Sequence, residues 1–101
     1  MISDERVETA INRLSETDEE AALAKARVKS LEVYGKTAKS FAFLDAEGTV
    51  AEREAVALTS TIYREWQKDY EEAIIKSETL ANQRASWSGE REVWRSLQAN
   101  R

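Results

Sequence analysis

A chain of 101 residues has room for one domain with a modest core, and this one, with no proline, three glycines, 34% charged and 42% hydrophobic residues, has too few breakers for a turn-rich fold. It reads as all-α. The lack of cysteine and histidine excludes disulfides, thiolate chemistry, Cys/His zinc sites and the commonest general base, and a net charge of −4 gives the whole chain no electrostatic footprint for nucleic acid or an anionic membrane.

The start, Met1-Ile2-Ser3-Asp4-Glu5-Arg6, is acidic and lacks the basic and apolar regions of a signal peptide. The longest uncharged run, residues 55–63, is far too short to span a bilayer. A cytoplasmic protein without membrane contact is expected. Ser3 suits a helix N-cap, with Asp4 and Glu5 in the first turn where carboxylates favour the helix dipole. Val7, Ala10, Leu14, Thr17, Ala21, Ala24, Val28, Leu31, Gly35, Ala38 and Ala42 then recur at three-then-four spacing, which is one face of one helix. Thr17 and Glu20 have capping-box spacing, but the periodicity runs through them unchanged and predicts a continuous helix over about 4–45.

The motif Asp45-Ala46-Glu47-Gly48-Thr49 marks a turn over about 45–49, with Gly48 suited to the left-handed conformation and Thr49 with Glu52 to a second capping box. A second helix follows over about 50–99. Its seam is Val56, Thr59, Tyr63, Trp66, Tyr70, Ala73, Ser77, Leu80, Arg84, Trp87, Arg91, Trp94 and Gln98, which includes all three tryptophans. Ser88-Gly89 interrupts this arm, yet Leu80, Trp87 and Trp94 keep their seven-residue spacing across it, so continuity is expected. The two arms make a long antiparallel two-helix hairpin, coiled-coil-like, in a single domain over 1–101. An alanine- and glycine-rich seam faces an aromatic one, as interdigitation requires. A turn near residue 48 places Trp87 near Ala10, Ala73 near Ala24, and Tyr63 near Tyr34 or Gly35. It also aims the basic edge Lys25, Lys29, Lys36 and Lys39 at the acidic edge Glu65, Asp69 and Glu72, where ion pairs worth ~0.2–1 kcal/mol each would fix the register.

A hairpin buries one face of each arm. Leu23, Ala26, Ser30, Val33, Thr37, Ser40 and Leu44 form an uncharged stripe opposite the first seam, and Ala55, Leu58, Ile62, Ile74, Ile75, Val93 and Leu97 lie off the second. Such residues predict a partner, either a second copy that closes a helical bundle as a homodimer or higher homo-oligomer, or a macromolecule docked on Leu23, Ala26, Val33 and Leu44.

Three further clusters have a chemical reading. Arg84, Trp87, Arg91 and Trp94 have the composition of a single-strand nucleic-acid platform, in which bases stack on indoles and guanidinium groups hold phosphates; the competing reading has the arginine stems lying on the indoles within the molecule. The basic run Lys25, Arg27, Lys29, Lys36 and Lys39 could contact phosphates, but such a run is more often a solvated helix edge paired with acids on the neighbouring helix. Glu16, Glu19 and Glu20 with Glu65, Asp69 and Glu72 approximate the ExxE and ExxD magnesium ligands of all-α nucleotide pyrophosphatases, but the second group has the wrong spacing and the register separates the sets. No catalytic residue, metal ligand or cofactor site is expected, and a purely structural oligomerisation role remains open.

Two family resemblances bear on function. Trp87-Ser88-Gly89 resembles the W-x-G of the WXG100 secreted proteins, but it lies well into the second arm rather than in the central turn, and no tyrosine is followed four residues later by an acid. Glu52-Arg53-Glu54-Ala55, Tyr63 with the acidic helix after it, and the ending Val93-Trp94-Arg95-Ser96-Leu97-Gln98-Ala99-Asn100-Arg101 together resemble a family of small helical proteins encoded by tailed bacteriophages. That resemblance implies an accessory protein of the host cytoplasm that binds a host or phage factor of DNA replication, recombination or defence, and it carries no catalytic residues with it.

Overall fold

The structure, a computed structural model, describes residues 2–100; Met1 and Arg101, the first residue of the acidic start and the last of the C-terminal motif, lie outside the described residues. Three helices follow one another, α1 (Asp4–Asp45), α2 (Val50–Thr59) and α3 (Thr61–Ala99), and no strand occurs among the described residues. The Ser3 hydroxyl accepts from the Arg6 N–H at 3.1 Å, and the Ser3 carbonyl accepts from Val7, so α1 starts where the cap was expected. Thr17 caps nothing. Its hydroxyl donates to the Arg13 carbonyl at 2.6 Å, a back-bond within one unbroken helix.

Between α1 and α2, Gly48 has φ +111°, a region in which a side chain is strained. Thr49 caps α2 by accepting from the Glu52 N–H at 3.2 Å. Arg53 closes the turn by donating from Nε to the Phe43 carbonyl at 3.2 Å, with its guanidinium 4.4 Å from the centre of the Phe43 ring.

One helix over 50–99 was expected, and here the structure differs. Ser60 is extended (φ −68°, ψ 152°); its hydroxyl donates to the Ala57 carbonyl at 2.7 Å and accepts from the Tyr63 N–H at 3.3 Å, so one residue ends α2 and caps α3. Three consecutive hydroxyl residues, Thr59-Ser60-Thr61, offer the backbone local partners that compete with the helix ladder. The seam shifts in consequence. In α2 the buried residue is Ala57, beside half-buried Arg53, while Val56 and Thr59 are exposed. From Tyr63 onward every predicted seam residue is buried or half-buried, as is every one in α1 from Val7 to Ala42.

The chain forms two compact units, one from the chain up to Ala24 with the chain from Lys76 onward, the other from Lys25–Ile75. In the first, α1 and α3 run antiparallel, joined by Asp4 with Trp94, Arg6 with Glu90, Asp18 with Arg84, and Glu20 with Lys76. Its buried residues are Val7, Ala10, Ala24 and Leu80. The Arg13 guanidinium stands 5.9 Å from the centre of the Trp87 ring. In the second unit the buried residues are Leu31, Gly35, Ala38, Ala42, Ala57 and Ala73.

In that unit Trp66 lies on Gly35, and its Nε1 donates to the Leu31 carbonyl at 2.6 Å. The expected pairs between the lysine edge and Glu65, Asp69 and Glu72 do not form. Antiparallel helices bring like flanks together: Tyr34 and Phe41, which precede seam residues of α1, share a flank with Ile62 and Asp69, which precede seam residues of α3. Phe41 and Ile62 line one hollow, as this requires. Lys25 and Lys39 follow seam residues and lie on the opposite flank from the acids.

Gly89 lies inside α3, and a Cβ built on it meets nothing within 4 Å. Gly89→Ala is therefore expected to stabilise the protein by about 0.5–1 kcal/mol, through the smaller entropy of the unfolded chain and better helix propensity. Thermal melting measures this, and an unchanged or lower midpoint contradicts it.

Candidate interaction surface

In the Lys25–Ile75 unit the usual distribution of side chains is inverted. Its buried hydrophobic residues are four alanines and one leucine, while Val33, Tyr34, Phe41, Leu44, Val50, Val56, Leu58 and Ile75 are exposed. The cause lies in the sequence. Alanine and glycine at seam positions let the helices approach closely, and the large apolar residues fall at positions that point away from the seam.

Of the four residues expected to meet a partner, Val33 and Leu44 are 69% and 70% exposed and Ala26 is exposed; all three lie on the outer row of α1 in this unit. Leu23, 63% exposed, is on α1 in the other unit. Leu44 lines two hollows open to solvent. One, of about 590 Å³, is lined by Lys36, Lys39, Ser40, Phe43, Leu44 and Glu54. The other, of about 440 Å³, is lined by Phe41, Ala42, Leu44, Asp45 and Ile62. The surface thus offers apolar bodies with Lys36, Lys39 and Glu54 on one rim, suited to holding an amphipathic element.

Sequence reasoning found the outer row but missed Tyr34 and Phe41, which widen it on one flank. Their seven-residue separation was the available signal. Beyond α1, Leu58, Ile75, Val93 and Leu97 are exposed as expected, whereas Ile62 and Ile74 are half-buried.

The Arg–Trp row is engaged within the chain. Arg84 donates from Nη1 to the Leu14 carbonyl at 2.7 Å and to the Thr17 hydroxyl at 2.8 Å, and from Nη2 to Asp18 Oδ1 at 3.1 Å. Trp94 Nε1 donates to Asp4 Oδ1 at 2.8 Å. Trp87 lies under Arg13 from the facing helix, not under Arg84 or Arg91. Arg91 pairs loosely with Glu92 at 3.8 Å, and its Nε is buried without a hydrogen-bond partner. A platform for stacked bases needs free indole faces and free guanidinium groups; Arg84 has neither freedom nor outward aim.

In the Lys25–Ile75 unit, Tyr63, Trp66 and Tyr70 form an aromatic run along α3 with successive ring centres 5.2 Å apart. The Tyr70 hydroxyl donates to Glu32 Oε1 at 2.9 Å, and this hydrogen bond, followed by desolvation and the carboxylate charge, raises the phenol above its ordinary value of 10.0. The two carboxylate groups compared with magnesium sites fall in different units, and no cluster of three or more potential ligands occurs among the described residues. No described helix is long and apolar enough to cross a membrane.

No protein-family model matches the chain, and no curated protein or solved structure matches it.

Proposed function

We propose that this is a non-enzymatic protein that acts by binding other protein, through the outer face of α1 centred on Val33 and Leu44. The observation that supports the reading is the inversion at that surface, where leucine, valine and phenylalanine face solvent over an alanine interior. A solvated helix edge needs no such residues, and exposed apolar groups grouped on one face are the mark of an interaction site. The resemblance to small phage proteins supplies the setting: an accessory factor in a host cytoplasm whose target takes part in DNA replication, recombination or defence.

Val33→Glu tests the surface. Tagged wild-type chain and variant are compared for the complexes they form with phage and host proteins, with helix content followed by circular dichroism. The expected result is loss of the complex at unchanged helicity. A complex that survives removes this face from the function.

A further inference from the structure

We propose that α2 is a lid hinged at Ser60: rotation about one backbone bond joins α2 to α3 in a single helix and carries Leu58 into the hollow between Phe41 and Ile62. Closure covers part of the apolar surface described above. Its effect on binding rests on the reading of that surface; the change of helix does not.

The break between the two helices is one dihedral angle. At Ser60 φ is −68°, already helical, and only ψ, at 152°, departs from the helical value of about −42°. The ladder resumes at once, since the Arg64 N–H donates to the Ser60 carbonyl at 3.0 Å, four residues back. What holds the angle is the Ser60 hydroxyl, which donates to the Ala57 carbonyl and accepts from the Tyr63 N–H in place of ladder partners. Before the other end of α2 stands Gly48, at φ +111°, a residue able to take up a change of direction in the turn.

Phase and shape then say where the lid goes. In a continuous helix the seam of α3 runs back through Val56 and Thr59, both exposed as the chain stands, while Ala57 turns off the seam by one residue, about 100°. Leu58, 46% exposed, falls four residues before Ile62 and stacks one turn from it, on the flank that Ile62 shares with Phe41. That flank holds the open hollow of about 440 Å³ lined by Phe41, Ala42, Leu44, Asp45 and Ile62. Closure thus exchanges the buried methyl group of Ala57 for the larger side chains of Val56 and Leu58, and takes Phe41 out of water with them.

Two substitutions in the full chain move the lid in opposite directions. Ser60→Ala removes the hydroxyl that stands in for the ladder and is expected to close it. Thr61→Pro is expected to hold it open. Thr61 is exposed and is the first residue of α3, where proline is favoured, and Ser60 before it already has the extended backbone that proline requires of its neighbour. Inside a continuous helix the same proline would clash with the preceding turn. Nuclear magnetic resonance reads both variants without a partner. In Ser60→Ala, residue 60 is expected to take helical carbon shifts, the Thr61 and Ile62 amides to exchange at least about tenfold more slowly than in the wild type, and the Leu58 methyl protons to show nuclear Overhauser contacts with the Phe41 ring. In Thr61→Pro, residue 60 is expected to keep extended shifts, with no contact from Leu58 to Phe41 and the rest of the fold intact. An extended residue 60 in Ser60→Ala, a helical one without the contact between Leu58 and Phe41, or a Thr61→Pro chain that loses its fold overturns the proposal. None of these outcomes bears on the binding reading, whose own test is Val33→Glu.

Discussion

Replacing Gly35 by alanine is expected to destabilise the protein by about 2–3 kcal/mol, a large effect for the addition of one methyl group. A Cβ at this position overlaps the six-membered ring of Trp66 and comes within 2.9 Å of its Nε1. The indole has little room to yield, because Tyr63 and Tyr70 flank it along α3 and its N–H is bonded to the Leu31 carbonyl. Relief requires either separating α1 from α3 or breaking that hydrogen bond, which is itself worth about 1 kcal/mol. Urea unfolding of Gly35→Ala, Trp66→Leu and the double variant measures the effect. The smaller side chain at 66 should accommodate the alanine, so the double variant should be more stable than the sum of the two changes implies. Wild-type stability in Gly35→Ala would show that the indole is not seated on that residue.

The second large effect concerns Arg84. Arg84→Ala is expected to destabilise by about 2–3 kcal/mol, through loss of charge-assisted hydrogen bonds and of the packed stem. The Asp18 partner is 81% exposed, so solvent screens that pair and it contributes little; the bonds to the Leu14 carbonyl and the Thr17 hydroxyl decide the outcome. Asp18→Ala should accordingly change stability by less than about 0.5 kcal/mol. Arg84→Lys should fall between, because an ammonium does not reproduce the planar fork that reaches three acceptors. The same variant separates the two readings of the Arg–Trp row. A structural clamp gives a fall in unfolding midpoint, whereas a nucleic-acid contact gives unchanged stability and weakened binding of a single-stranded oligonucleotide. An Arg84→Ala protein as stable as wild type would therefore return this row to the list of binding surfaces.

These two residues illustrate what the sequence made legible. The α1 seam from Val7 to Ala42 could be read residue by residue, because an unbroken helix keeps its phase and periodicity alone assigns its faces. The exposed row with Val33 and Leu44 followed from the same phase. The second arm held its phase only from Tyr63 onward. The break at Ser60 carries neither glycine nor proline, and its signal, three hydroxyl residues in a row, is one that tertiary context frequently overrides. The lysine and acid edges fail for a different reason. Their spacing along each helix was read correctly, but which flank each occupies depends on whether the residue precedes or follows its seam neighbour, and that distinction was present in the sequence all along. Arg84 was recognised as a seam residue, while its three acceptors on α1 could be identified only once the helices were set side by side.

The alanine interior also determines which kinds of inherited change this protein can absorb. In an ordinary core the harmful substitutions remove atoms and leave a void. Ala38 and Ala57 are fully buried and Ala10 very nearly so, and truncating them deletes at most a methyl group, whereas any larger residue must force two backbones apart. Variation along the seam should therefore be confined to exchanges among the smallest residues, and the positions hardest to alter are those that contribute least volume.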